Sequence, residues 1–504
     1  MDLKELLNKN DYNKLRVIET LMNAKSPLPK KELAKKIGVS NFLLDSYLTD
    51  IESIAQDDRF GITFARTIEK NIEFFCLQKS DRSNLRFILF HFFEQSIDYQ
   101  LLTILQQKPG CSVAFLTDRF FLSESVLYAH FQHINEFLEI YGIQIKKGRL
   151  IGSMLDVYYF FYYFYWFTLP LREIKKRFYH QEMDQLLQFL EQKIAITIPG
   201  NVKMQFYLWS ALFFQQNQKD LYQSVFSPDV LQKLDNDKLY QTIRQAYFTM
   251  NSATAFPGNE DFPIYMYIFF TSIYILPTRA IPSSKIGGVI GNYEPFDVVI
   301  QMQQIVKKQL AKLHINLIEL PYDIAGEIYY LLAQAHHQLF YFKRYISTLN
   351  TEFFLSTYPF NHRLPKVMHQ NACAMTKEIE TFLDVHFDQH TFESIRYIYL
   401  TILKKAERFS KDKLTIGIFC HASYLRRSLL VQQAHELFSQ RYNAVSTVAD
   451  PTQKYDLLVA DTSYFLEDFT YHDFYILSGE PTLFDLNKIT EKLDTIYKRK
   501  KQCE

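Results

Sequence analysis

The chain of 504 residues lacks most of the signatures that would mark an enzyme, a metalloprotein or a secreted protein. Its cysteines, Cys76, Cys111, Cys373, Cys420 and Cys503, are scattered, with no CxxC pair and no metal-ligand spacing, which fits structural thiols in a reducing cytosol. No Ser-His-Asp grouping, P-loop, HExxH motif or paired-carboxylate arrangement stands out, and His362, His369, His386 and His390 cluster loosely without the spacing of a metal site. No cofactor or metal is expected. The formal net charge is only +1, so a surface that attracts nucleic acid has to be local. No apolar stretch follows a basic start, which argues against a signal peptide. Met154 to Leu171 and Phe262 to Leu276 are apolar but short, rich in tyrosine and closed by Pro170 and Pro277. A membrane-spanning helix takes about 20 mostly apolar residues, so both read as buried aromatic helices of a protein with no membrane partner.

What the sequence does have is a pair of similar patterns near its start. In the first, Leu33, Ala34 and Ile37 lead into Gly38-Val39-Ser40 and then Leu43, Leu44, Tyr47, Leu48 and Ile51 at helical spacing. Gly38 suits the positive φ of a tight inter-helix turn, and Ser40 suits the cap of the next helix. Residues 12–24, 29–37 and 41–54 read as three helices, and Phe60 to Gln78 alternates through Ile62, Phe64, Ile72 and Phe74 as a β-hairpin wing. After a linking helix near Ser83 to Ser96, Val113 to Arg119 precedes a second turn capped by Ser123. Val126, Leu127, Phe131, Ile134 and Leu138 then mark another amphipathic helix. Its wing is the short run Ile143 to Ile151, with Lys147-Gly148 as the turn.

Beyond Asp156 the chain becomes long, aromatic-rich helical segments, and Ser283 to Gly291 is the best linker within them. It separates two similar lengths, 160–282 and 292–405, that suggest a duplicated helical domain. From Leu414 the pattern changes to strands at Leu414–Cys420, Tyr455–Ala460 and Asp473–Leu477, with a helix over Tyr424–Tyr442, which implies a small parallel sheet. The expected architecture is multidomain and mainly α: winged helix-turn-helix units at 1–80 and 81–155, helical domains at 156–285 and 286–408, and an α/β domain at 409–504.

In that order of parts the chain resembles the Mga-type virulence regulators of Gram-positive bacteria. The most specific local match is Leu150-Ile-Gly152 leading into the aromatic run Tyr158 to Phe167, which is similar to the segment closing that family's second helix-turn-helix. Met154 and Asp156 depart from the acidic and basic residues of the family there. The resemblance implies two DNA-binding units, two PRD-like phosphotransferase-system regulation domains and a C-terminal EIIB-like domain similar to the sugar-transport enzyme IIB. It also implies an activator rather than a repressor, and a homodimer formed through the C-terminal domain.

A reading helix meets base edges in the major groove with polar side chains. The first unit offers Asn41, Asp45, Ser46, Thr49 and Asp50 there, and its two carboxylates would repel phosphate, so Lys30, Lys31, Lys35 and Lys36 on the preceding helix are expected to act as backbone clamps. A trio of helices that only contacts protein would show the same core pattern. The second unit shows Ser123, Ser125, Tyr128, Gln132 and His133, with Lys146, Lys147 and Arg149 at its wing, and is expected to make the main contact.

In the helical domains, His336 and His337 precede an aromatic stretch and Arg344, as in the family segment that accepts a phosphoryl group from a phosphocarrier protein. The equivalent stretch Phe206 to Phe214 holds no histidine, and His180 is the one histidine found in that domain, so the first domain is not expected to be phosphorylated in the usual way. Cys420 sits where enzyme IIB carries its acceptor thiol, but the loop Cys420 to Ser428 has no glycine to bring backbone amides to a phosphate. A structural or dimerising role is expected instead. The resulting expectation is a cytoplasmic regulator of double-stranded promoter DNA, A+T-rich or curved because its reading faces are poor in Arg and Asn. The alternatives are a sugar-operon activator under phosphotransferase control, a helical scaffold that binds no DNA, or a phosphoryl carrier.

Overall fold

The computed structural model describes residues 3–81, 84–194, 197–215, 232, 234–253, 261–273, 297–313, 315–317, 320–342, 366–410, 414–420, 424–442, 444–479 and 481–502. The chain forms two compact units, one of Met1–Ile305, Tyr330–Arg363 and Thr376–Tyr397, the other of Val306–Tyr329, Leu364–Met375 and Ile398–Glu504.

The first unit opens with α1 (Lys9–Asn23), β1 (Leu28–Pro29), α2 (Lys30–Ile37), α3 (Asn41–Ala55) and the hairpin β2 (Ile62–Glu69) and β3 (Ile72–Lys79). Leu15, Ile18, Leu33, Ile37, Leu44, Leu48 and Ile51 are buried where the three helices meet, each side chain worth about 1.5–3 kcal/mol of transfer free energy. Gly38 takes φ 80°, and the amides of Gly38 and Val39 both donate to the Ala34 carbonyl, at 2.8 and 3.1 Å. Ser40 then caps α3 by accepting from the Leu43 amide at 3.2 Å.

On β2 the hairpin buries the face its alternation suggests, with Ile62 in the core and Phe64 half-buried, but on β3 it buries the opposite one. Phe64 lies opposite Leu77, and Arg66 opposite Phe75. Phe75 and Leu77 are in the core, while Ile72 is half exposed. A one-residue shift in the face assigned to a strand exchanges every inward residue for an outward one.

The second winged unit repeats the order with α4 (Leu85–Gln95), α5 (Ile97–Gln107), α6 (Val113–Phe120), α7 (Glu124–Leu138), β4 (Gln144–Lys146) and β5 (Arg149–Ile151). Its inter-helix turn has the geometry of the first without the glycine. Phe121 holds φ 54°, and the amides of Phe121 and Leu122 both donate to the Thr117 carbonyl. Ser123 caps α7 from the same position that Ser40 occupies before α3.

The aromatic run becomes α8 (Met154–Thr168), buried on nearly every side. Its tyrosine hydroxyls still find acceptors: Tyr165 donates to Gln106 Oε1 at 3.2 Å and Tyr158 to the Phe213 carbonyl at 3.4 Å. There follow α9 (Leu171–Phe178), α10 (Gln181–Ile194), α11 (Gly200–Gln215), α12 (Lys238–Ala253), and α13 (Phe262–Ile268), which runs on into a π-helical turn at Phe269–Ile273. Then come α14 (Asp297–Ala311), α15 (Tyr322–Phe342), α16 (Lys366–Leu383) and α17 (Gln389–Ser410). Among the described residues no helix is long and apolar enough to cross a membrane. The linker expected at Ser283 to Gly291 lies outside the described residues.

In the second unit, β6 (Leu414–Phe419), α18 (Tyr424–Tyr442), β7 (Ala444–Val448), β8 (Lys454–Ala460), β9 (Thr470–Ile476) and α19 (Leu483–Gln502) form a parallel sheet in the order β7-β6-β8-β9 with its helices. The parallel sheet expected from the apolar runs is present. The short strand β7 was not anticipated, because its run Ala444-Val-Ser-Thr-Val448 carries only two branched apolar side chains. Leu414, Ile416, Ile418, Leu457 and Val459 pack against Phe438, Tyr442, Leu493 and Ile496. On the other face the Tyr455 ring lies over Gly417, where an added Cβ would come within 2.8 Å of it.

Candidate nucleic-acid interface

Seen along its axis, α3 turns Leu44, Tyr47, Leu48 and Ile51 inward and Phe42, Ser46, Thr49 and Ser53 outward, at the i, i+4, i+7, i+11 spacing of one helix stripe. All four outward residues are exposed, Phe42 to 85%. Asp45 and Asp50 flank the stripe, and both are neutralised. Lys30 Nζ lies 2.6 Å from Asp45 Oδ1 and 3.5 Å from Glu73, and Lys14 Nζ lies 2.8 Å from Asp50 and 3.0 Å from Asp11. The Asp45 carboxylate, as hydrogen-bond acceptor, is the main influence raising the pKa of Lys30.

Of the lysines expected as clamps, Lys30 is therefore engaged with the reading helix itself, and Lys36 pairs with Glu32 at 3.0 Å. Lys31 and Lys35 are exposed on α2, and Asn41 is exposed at the start of α3. The hairpin projects beyond this frame. β1 pairs with Phe74 and Phe75, whereas the turn is at Lys70-Asn71, both in the left-handed region with φ 48° and 61°. Arg66 on the hairpin is paired with Glu73.

In α7 the corresponding outward stripe is Ser125, Ala129, Gln132 and Glu136. Ser125, Tyr128 and Gln132 are exposed as the sequence suggested, while the Ser123 hydroxyl caps the helix and lies 3.0 Å from Ser125 Oγ. His133 is exposed beside this stripe and is also held from α5. Its Nδ1 is 2.7 Å from Asp98 Oδ2, and His130 Nδ1 is 2.6 Å from Asp98 Oδ1, so one buried carboxylate at the start of α5 grips two consecutive turns of the reading helix. Sequence reasoning missed His130 and Asp98, which lie 32 residues apart. A cavity of about 800 Å³ opens beside this grip, lined by Leu6, Leu7, Tyr12, Val126 and Ala129 among others.

The second wing is short and tucked in. Gly148, φ 73°, packs so closely that a Cβ would fall 2.2 Å from the Cys111 carbonyl oxygen, and the Arg149 guanidinium lies over Gly110. Asn135 on α7 holds the hairpin by donating to the Ile145 carbonyl at 3.1 Å and accepting from the Ile145 amide. Lys146, Lys147 and Arg149 are exposed around this turn.

The residues linked to phosphorylation lie elsewhere. His336 and His337 are fully buried in α15. Desolvation pushes their pKa values down to about 3 and about 4, and His337 Nδ1 lies 2.6 Å from the Ala333 carbonyl oxygen. As placed, neither ring is open to a phosphocarrier. Cys420 is buried at the end of β6, and residues 421–423 of its loop lie outside the described residues. Among the described residues no cluster of His, Cys, Asp and Glu is arranged to hold a metal ion.

Two trihelical cores, each with a capped helix and a hairpin, give the N-terminal region the arrangement of two winged helix-turn-helix units. More specifically, it carries the Mga helix-turn-helix domain: residues 81–165 match the family model of that description, which bears out the resemblance to Mga-type regulators over this segment. The chain is also 23% identical over 167 residues to a protein of Streptococcus pneumoniae described as a candidate trans-acting regulator. That match covers 32% of this chain and 31% of the relative.

Proposed function

We propose that the protein is a DNA-binding transcriptional regulator that grips promoter DNA through both winged units. The observation that carries this reading is the repeated reading helix, α3 and α7, each launched from the same serine-capped turn and each with an exposed outward face that bears no cation. The Mga helix-turn-helix match at residues 81–165 and the similarity to a candidate trans-acting regulator support it. Base reading falls to Asn41, Ser46, Ser125, Tyr128 and Gln132. Phosphate contact falls to Lys31, Lys35, Lys146, Lys147 and Arg149. His133 acts through Asp98 as a positioning residue for α7.

The finer parts of the reading rest on the family resemblance. The protein activates its target genes and works as a homodimer through the C-terminal α/β domain, which is of the enzyme IIB type without phosphotransfer at Cys420. The helical segments at 156–285 and 286–408 are regulation domains, and phosphorylation at His336 or His337 requires α15 to open, since both rings are buried.

The test is a salt titration of DNA affinity by fluorescence anisotropy with the Lys146, Lys147 and Arg149 to Ala variant. Each lost phosphate contact flattens the dependence of log K on log salt by about 0.9, so the slope falls by up to about three contacts' worth. Unchanged affinity and slope would remove the second wing from the interface, and salt-independent behaviour of the parent chain would overturn the reading as a whole.

A further inference from the structure

We propose that Phe42 is a specificity-determining residue that reads thymine by apolar contact with its C5-methyl group in the major groove, an inference that rests on the DNA-binding reading above. Three observations lead to it. Phe42 is the second residue of α3, in the first turn, the part of a reading helix that reaches base edges. It lies diametrically opposite the buried face and is 85% exposed, so the fold itself gains little from an aromatic ring there. Its stripe companions Ser46, Thr49 and Ser53 are uncharged hydroxyls.

The chemistry of the stripe favours one base. Guanine offers two acceptors to the major groove and is most often read by a cation, but the stripe has none, and the ammonium groups that reach its flanks, Lys30 and Lys14, are committed to Asp45 and Asp50. Thymine alone presents an apolar group on that edge, and an exposed phenyl ring flanked by hydroxyls is its complement. The equivalent position in α7 is Ser125, which gives the second unit no such preference. Neutralised Asp45 and Asp50 also remove the repulsion that would otherwise keep α3 out of the groove.

A binding cycle tests this with the intact chain. Short duplexes enriched from a random-sequence pool by the parent protein are made twice, once with thymine and once with deoxyuracil, which differs only in lacking the methyl group. The parent should lose about fourfold in affinity for each contacted methyl removed, the worth of one buried carbon. Phe42→Ala should bind the thymine duplex more weakly and show no difference between the two duplexes, and Phe42→Leu should keep part of the difference. Equal losses on methyl removal for the parent and Phe42→Ala, or unchanged affinity of Phe42→Ala, would overturn the inference while leaving DNA binding intact. Failure of the parent to enrich or bind any duplex would overturn the DNA-binding reading beneath it.

Discussion

Lys30 on α2 reaches across to Asp45 on α3, with 2.6 Å between ammonium and carboxylate, and so cancels a negative charge on the edge of the helix proposed to approach phosphate. The pair is partly exposed, so its worth to stability is at most about 1 kcal/mol. In the proposed DNA complex its expected contribution is larger. Lys30→Ala should reduce DNA affinity well beyond the loss of one cation, because it exposes Asp45, and adding Asp45→Asn should recover most of that loss. An anisotropy titration of the single and double variants checks this. Equal affinities for the two would show that Asp45 does not face DNA.

The grip of Asp98 on His130 and His133 predicts a coupled effect on folding and binding. Asp98→Ala leaves two imidazoles without their buried acceptor and should cost about 1–3 kcal/mol in thermal or urea unfolding. It should also weaken DNA binding by letting α7 shift. His133→Ala should cost less than His130→Ala, since the His133 side chain is 48% exposed and that of His130 27%. A variant that lost binding with unaltered stability would instead make these residues direct DNA contacts.

Much of this frame could be read from residue spacing, and the rest was hidden by local or tertiary effects that spacing does not carry. Gly38-Val39-Ser40 announced the first turn because glycine is the inexpensive residue for a left-handed φ. The second turn has the same geometry, but Phe121 hides the signal. The hairpin existed where alternation placed it, yet its inward face is Phe75 and Leu77 rather than Ile72 and Phe74, since apolar side chains occur on both faces of β3. Pairings such as Lys30 with Asp45, or Asp98 with His133, join residues 15 and 35 positions apart and depend on tertiary packing. The exposed ring of Phe42 was hidden too, because an aromatic at the start of an amphipathic helix reads equally well as core.

Phe121 carries a testable cost. It combines a left-handed φ of 54° with 95% exposure, so its ring is not repaid by burial. Phe121→Gly should be neutral or stabilising by up to about 1 kcal/mol, relief of the left-handed strain being partly offset by greater freedom of the unfolded chain. Differential scanning fluorimetry resolves the sign. A clear loss of stability would mean that the ring makes a stabilising contact.

At Gly148 the direction reverses. Alanine there would place its Cβ 2.2 Å from a backbone oxygen at φ 73°, so Gly148→Ala should force the second wing away from Cys111 and lower the melting temperature. Gly38→Ala meets no atom within 4 Å and should pay only for its left-handed φ, about 1 kcal/mol. Comparable melting temperatures for the two variants would contradict the tucked geometry of the wing.

Burial of His336 and His337 sets a pH dependence of stability. Their folded pKa values lie near 3 and 4, well below the ordinary value of 6.5. As pH falls below about 6.5 the unfolded chain binds protons that the folded chain cannot, so the stability present above that pH is lost toward pH 4, at up to about 1.4 kcal/mol per pH unit for each ring. Urea midpoints at pH 7 and pH 5 should converge when the histidines are replaced by Leu and Gln. A pH slope unaffected by both substitutions would mean that other groups set it.

The division between reading and clamping is tested most directly by one set of salt titrations on a single selected duplex, comparing the parent chain, Phe42→Ala, and the variant lacking Lys146, Lys147 and Arg149. The account predicts a line for Phe42→Ala parallel to the parent's but displaced to weaker binding, and a shallower line for the basic-wing variant. A shallower line for Phe42→Ala, or coincident lines for all three proteins, would contradict it.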